Sequence, residues 1–157
     1  MARIFLTGAA GFVGFHTAQM LCARGDEVVG FDNVNDYYDP SLKEARLEKL
    51  AGLKNFRFVR GGLEDMGALK AAMDATKASV VINLAAQAGV RYSLQNPKAY
   101  IDSNLTGFTN LLELCRHSDG LDHLVFASSS SVYGANTKLP FSTGDRADHP
   151  ISLYAAT

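Results

Sequence analysis
The chain has 157 residues, 47% of them hydrophobic, and a formal net charge of −1, enough for one domain with its own core and no covalent staples. Its lysines and arginines are scattered rather than clustered, so there is no electrostatic basis for binding nucleic acid or an anionic membrane. Cys22 and Cys115 stand alone, and His16, His117, His123 and His149 show no metal-ligand spacing. Buried thiols in a reducing, cytoplasmic compartment are expected, with no metal.

The first strand (Ile4, Phe5, Leu6) begins at Arg3. That leaves no room for a signal peptide or N-terminal anchor, and no later apolar run approaches membrane-spanning length. The strand breaks into Gly8, Gly11 and Gly14, and a helix follows over Phe12 to Arg24, with Val13, Thr17, Met20 and Leu21 on one face and Gly25 as its stop. Strand, glycine turn and helix together hold a pyrophosphate: glycines let backbone approach the phosphates, and the helix start offers free N–H groups and a positive dipole end. The first gap is one residue longer than in Gly-x-Gly-x-x-Gly. The next strand, Glu27 to Phe31, ends in Asp32, which is placed to accept both ribose hydroxyls of an adenosine and to repel a 2′-phosphate, favouring NAD over NADP. Asp32 followed by Asn33 also reads as an ordinary turn start.

A polar loop, Asn33 to Pro40, carries Tyr37 and Tyr38. Ser41 is expected to cap the second helix, with Glu44 completing a capping box and Leu42, Ala45 and Leu50 facing inward. Asn55 to Arg60 is the third strand, Asp65 to Ala75 a short helix weakened by Gly67, and Ala78 to Ala85 a fourth strand buried on both faces. Pro97 introduces the longest helix, Lys98 to His117. One apolar stripe on it is Ile101, Leu105, Phe108, Leu112 and Cys115; Tyr100, Leu111 and Leu114 form another. One stripe is expected to pack on the sheet and the other to meet a partner helix. His123 to Ala127 is the fifth strand. This alternation predicts an α/β Rossmann-type fold, a parallel sheet of order 3-2-1-4-5 flanked by helices.

Ligands of such sheets bind beyond the carboxyl ends of the strands. There the fourth strand runs into Leu84-Ala85-Ala86, whose small side chains let a cofactor lie against backbone. The fifth runs into Ala127 and four serines, Ser128 to Ser131, which also read as a plain turn. Tyr154 begins another helix, where a tyrosine is ordinarily a packing residue.

Taken together, these segments resemble the extended short-chain dehydrogenase/reductases, and within them the UDP-glucuronate 4-epimerases, which use tightly held NAD. The resemblance covers the whole chain. It is carried by Thr7 to Gly14, the loop Asp32-Asn33-Val34-Asn35-Asp36-Tyr37-Tyr38-Asp39-Pro40, Leu84 to Ser93, the helix containing Asn104, the serine run, and His149 to Tyr154. It implies that Gly8, Gly11, Phe12, Val13 and Gly14 hold the pyrophosphate and that Asp32 and Asn33 hold the adenosine ribose. Leu63, Leu84, Ala85, Ala86 and Ala127 line the cofactor, and Asn104 steadies the site. Ser129 and Tyr154 become the catalytic pair, with Tyr154 the general base, while Ser128 and Ser130 hydrogen-bond the hexuronic carboxylate. The implied reaction passes through a transient 4-keto sugar.

Two departures stand out. Gly62 occupies the place of an acidic residue that contacts adenine in the family. The family motif is Tyr-x-x-x-Lys, and the sequence stops at Thr157, one residue before that lysine. A free tyrosine titrates near pH ~10, so a neutral-pH tyrosine base needs positive charge beside it, which the resemblance supplies from the nicotinamide and the lysine. The expectation is an incomplete NAD-binding domain without the C-terminal substrate domain, with little epimerase activity by itself and self-association through the helix at 98–117. Two rivals remain. A nucleotide-sugar dehydratase or decarboxylase would need an acidic group just after the catalytic serine, where Ser130 and Ser131 stand. The other is a non-catalytic NAD-binding module.

Overall fold
In a computed structural model covering residues 1–157, five parallel strands form one sheet in the order β3-β2-β1-β4-β5. The strands are β1 (Arg3–Thr7), β2 (Glu27–Asp32), β3 (Phe56–Arg60), β4 (Val80–Asn83) and β5 (His123–Phe126). The first three crossovers carry helices α1 (Phe12–Ala23), α2 (Pro40–Ala51) and α3 (Met66–Thr76). Between β4 and β5 come α4 (Val90–Gln95) and a long rod made of α5 (Pro97–Tyr100), a π-helical stretch (Ile101–Gly107) and α6 (Phe108–Arg116). A 3-10 turn (Ser130–Tyr133) and the short α7 (Leu153–Ala156) follow β5. The expected fold and strand order are present.

Alternation along β1 splits the core in two, because successive side chains of a strand point to opposite faces. Ile4 and Leu6 pack with Phe15, Ala18, Cys22 and Leu50 under α1 and α2. Phe5 packs with Phe31, Val81, Leu69, Met73 and Leu111 under α3 and α6. The strand order reverses between β1 and β4, and that point opens the crevice at the carboxyl edge.

Several local expectations are corrected. The buried face of α1 is Gly14, Phe15, Ala18 and Cys22, while Val13 and Met20 are exposed. The helix is apolar around most of its circumference, so periodicity alone did not orient it. Helix α2 is capped by Asp39, whose carboxylate accepts from Ser41 N–H at 2.9 Å, with Pro40 in the first turn. Lys43, Leu47 and Leu50, spaced i, i+4 and i+7, face inward, while Leu42 and Ala45 are exposed. Glu44 pairs instead with Arg60 at 2.6 Å. In β4 only Val81 and Asn83 are buried; Val80 and Ile82 are half-buried. On the long rod Tyr100 and Leu111 are fully buried, whereas Ile101, Leu105 and Leu112 are exposed. Leu111 and Leu114 of the second stripe pack on the sheet-side core together with Phe108 and Cys115 of the first, Tyr100 packs on Tyr92 and Tyr154, and the rest of the first stripe faces outward. Cys22 and Cys115 are free thiols, both pushed up in pKa by burial, Cys22 also by Asp26.

Asp26 anchors the amino edge of the sheet. Its carboxylate accepts from Ala2 N–H at 2.8 Å and Arg24 Nε at 2.5 Å, and these contacts, the Ala2 bond first, hold its pKa below the usual carboxylate range. A depressed folded pKa stabilises the fold above the unfolded value and loses that contribution as pH falls through the folded one. Asp26→Asn is therefore expected to lower Tm at pH 7, with the gap to wild type closing as pH drops below about 3.9; thermal melts across pH 2–7 check this.

Candidate active site
The glycine turn is built by backbone contact. Gly8 has φ +71, and a Cβ there would sit 2.7 Å from the backbone of Leu84 and Ala85. A Cβ on Gly14 would collide with the Gly8 carbonyl. Gly8 N–H reaches back to the Phe31 carbonyl at 2.8 Å and Gly11 N–H to the Gly8 carbonyl at 3.0 Å. Buried Thr7 fastens the turn to β4: its hydroxyl donates to Asn83 Oδ1 at 2.5 Å and accepts from the N–H groups of Leu84 and Ala85 at 3.2 and 3.1 Å. Helix α1 starts at Gly11 with no side-chain cap and no acid in its first turn. Its leading amides, on Phe12, Val13 and Gly14, are left for an anionic ligand.

Asp32 closes one end of this crevice. Its carboxylate accepts from Ala10 N–H at 3.0 Å and Val34 N–H at 2.8 Å, which fixes its direction and leaves further lone pairs for hydroxyl donors. Behind it lies Lys43, which sequence reasoning missed. Its ammonium is buried, donates to Asn35 O and Oδ1 at 2.7 and 2.6 Å, and lies 4.4 Å from the centre of the Tyr38 ring. Burial lowers its pKa, Arg46 adds to that, and Asp32 and Asp36 oppose it. The signal that would have found it is its spacing, one turn before Leu47 and two before Leu50 on the same face.

A cleft of about 270 Å³ joins these parts: Gly8, Gly11 to Gly14, Asp32, Asn33, Lys43, Gly62, Leu63 and Leu84 to Ala88 line it, among others. A second, of about 320 Å³, shares Leu84, Ala85, Ala86 and Ala88 with the first and adds Asn104, Ala127, Ser128, Ser129 and Tyr154. All the candidate residues thus line one or other of these two adjoining clefts except Ser130, which opens the 3-10 turn and is absent from both linings. Where the adenine-side acid was expected, the carboxyl of Glu64 folds against Gly62.

Two devices bring Ser129 and Tyr154 to the same cleft. Gly134, at φ +46, packs against the backbone of His149, and Ala135 N–H bonds the His149 carbonyl at 3.1 Å. Ser152 then caps α7 through Ala155 N–H at 3.0 Å. Ser129 Oγ accepts from Ser131 N–H at 3.2 Å, so its own hydrogen is free to donate into the cleft. Asn104, in the π-helical stretch, clamps Gln87 through both N–H (2.8 Å) and C=O (3.0 Å) and donates to Thr157 Oγ1 at 3.2 Å. The two clefts thus offer free amides and a carboxylate on one side and a serine hydroxyl and a tyrosine on the other.

Comparison with known proteins agrees with this geometry. The family described as GDP-mannose 4,6 dehydratase matches residues 5–157. The chain belongs to that family. Among curated relatives it is 54% identical over 155 residues to Protein CapI of Staphylococcus aureus, covering 99% of this chain and 46% of that one. It is 53% identical to the probable UDP-glucuronate 4-epimerase of Rhizobium meliloti, covering 99% and 45%. The crystal structure of UDP-glucuronic acid 4-epimerase from Bacillus cereus, in complex with UDP-glucuronic acid and NAD, superposes with TM-score 0.86 at 32% identity, covering 98% of this chain and 48% of that one. The chain thus spans about half the length of these relatives.

Proposed function
We propose that residues 1–157 are the NAD-binding part of a UDP-sugar 4-epimerase acting on UDP-glucuronate, and that the substrate-gripping domain lies in the C-terminal half its relatives carry. The observation that supports this most is the pair of adjoining clefts, one at the glycine turn and Asp32 and the other at Ser129 and Tyr154, with Leu84, Ala85, Ala86 and Ala88 in both linings. The fit to a dinucleotide rests on this chain's own geometry. A Cβ at Gly8 or Gly14 would run into backbone, so glycine alone permits the tight turn that brings α1 up to the crevice; first-turn amides meet the diphosphate, and the Asp32 carboxylate meets ribose hydroxyls.

When bound, NAD supplies a hydride acceptor, and afterwards donor, at carbon 4 of the sugar. Tyr154 takes the proton of the 4-hydroxyl and returns it on re-reduction. Ser129, whose hydrogen is free, holds the same oxygen in line. Ser128 lies in the cleft to meet the hexuronic carboxylate. Dehydratase chemistry is disfavoured by Ser130 and Ser131, which stand where an added acid would be needed.

The test is proton NMR of UDP-glucuronate incubated with the completed protein, meaning residues 1–157 joined to their own C-terminal continuation or that of the Rhizobium relative. Appearance of UDP-galacturonate is expected; a 4-keto pentose formed by loss of carbon 6 as carbon dioxide, or no turnover, would contradict the proposal. Residues 1–157 alone are expected to show little or no turnover.

Asp32→Ala removes an acceptor for two ribose hydroxyls and orphans the Ala10 and Val34 amides. Charge-assisted hydrogen bonds contribute about 1.5–3 kcal/mol each, so NAD affinity is expected to fall about 100-fold and the preference over NADP to collapse, as calorimetric titration with both would show. The outward Ile101, Leu105 and Leu112 support a homodimer across this helix. Leu105→Glu with Leu112→Glu is expected to give monomers in sedimentation equilibrium.

A further inference from the structure
We propose that Tyr100 is a positioning residue for Tyr154: its buried ring is the wall on which the Tyr154 ring rests. The inference rests on the epimerase reading above.

Tyr154 stands in the first turn of α7, just after the Ser152 cap. The direction of its ring is set by what it packs against. Tyr100 has no exposed surface, and its ring meets that of Tyr154 edge-to-face, with centroids 5.9 Å apart and planes at 72°. The Tyr100 hydroxyl lies 2.8 Å from the Ala88 carbonyl and 2.5 Å from that of Gly89 and shares its one proton between them. The hydroxyl is turned to these carbonyls, and the contact with Tyr154 is one of rings.

Tyr100 is held from its other side as well. Tyr92 packs on it at 6.3 Å and Tyr37 on Tyr92 at 4.8 Å, a row of rings that begins in the Asp32–Pro40 loop. Burial, with smaller contributions from Tyr37, Tyr154 and Tyr92, pushes the Tyr100 phenol above its ordinary pKa; a Gln87 hydrogen bond opposes this. The group stays a neutral donor and acts by place rather than by charge. Tyr100 and Asn104 lie one turn apart, so one rod sets the spacing between the segment 87–89 and the segment 154–157.

Tyr100→Phe keeps the ring and frees the two carbonyls; Tyr100→Leu removes the ring. In the completed protein, Tyr100→Leu is expected to lower kcat about 10- to 100-fold, the scale of a displacement near 1 Å, with KM for UDP-glucuronate and NAD affinity within about threefold. Tyr100→Phe is expected to keep kcat within about threefold. In residues 1–157, the ring protons of isotopically labelled Tyr154 are expected to carry a ring-current shift that survives Tyr100→Phe and vanishes in Tyr100→Leu. Equal kcat losses in the two variants, an unchanged kcat in Tyr100→Leu, or a loss confined to Tm or NAD affinity would overturn the inference. A wild type without turnover contradicts the epimerase reading and removes the inference with it, whereas an active wild type beside an equally active Tyr100→Leu contradicts the inference alone.

Discussion
Tyr154→Phe in the completed protein is expected to lower kcat by about 1000-fold, within the usual range for a lost general acid–base group, while NAD affinity stays within about threefold. The phenylalanine ring refills the place against Tyr100, so α7 keeps its seat, and Asn104 still holds Thr157. Only the proton-transferring oxygen is lost. Steady-state kinetics together with calorimetry separate this from misfolding, because a folding defect lowers NAD affinity as well. If kcat falls less than about tenfold, the proton passes through another group and the role given to Tyr154 is wrong.

Gly14→Ala is the second large effect, and it acts on the fold and the cofactor together. The added methyl runs into the carbonyl of Gly8, a backbone group that cannot swing aside as a side chain can. Gly8 in turn is wedged against Leu84 and Ala85, so relief has to come from separating α1 from β1. Overpacking of this kind costs about 1–3 kcal/mol. The separation also moves the first-turn amides off the diphosphate, so NAD affinity is expected to drop at least about 100-fold, the equivalent of about 2.7 kcal/mol. Gly25→Ala is the control: it has positive φ but nothing within 4 Å of its Cβ, so it is strained without touching the cleft. It is expected to lower Tm and leave NAD binding intact.

The strand order and the two clefts were legible because they rest on coarse signals: apolar runs, helical periods and glycines at fixed spacing. Asp32 at a strand tip and small residues after β4 follow from the same logic. Finer orientation was not legible. Helix α1 has apolar residues on several sides, so its inner face is chosen by close contact at Gly14 rather than by periodicity. In α2 the inner face is the i, i+4, i+7 register of Lys43, Leu47 and Leu50, so the apolar Leu42 points away and the lysine points in. A lysine on an inner face is also a poor prior from composition, since ammonium groups are rarely buried unpaired, and here Asn35 and Tyr38 supply the compensation. The π-helical stretch at Ile101–Gly107 carries no sequence signal in propensity, yet it is the segment that presents Asn104 to Gln87. The Tyr37–Tyr92–Tyr100–Tyr154 row spans distant positions and emerges only when the sheet has folded.

Titrating NAD into isotopically labelled residues 1–157 while following backbone amide signals tests the central claim most directly. Saturable shifts are expected at both clefts, on Gly11 to Gly14 and Asp32 to Val34 at one and on Leu84 to Ala86 and Ala127 to Ser129 at the other, with NADP binding far more weakly. Shifts absent from the glycine turn, or clustered elsewhere on the surface, would contradict the account.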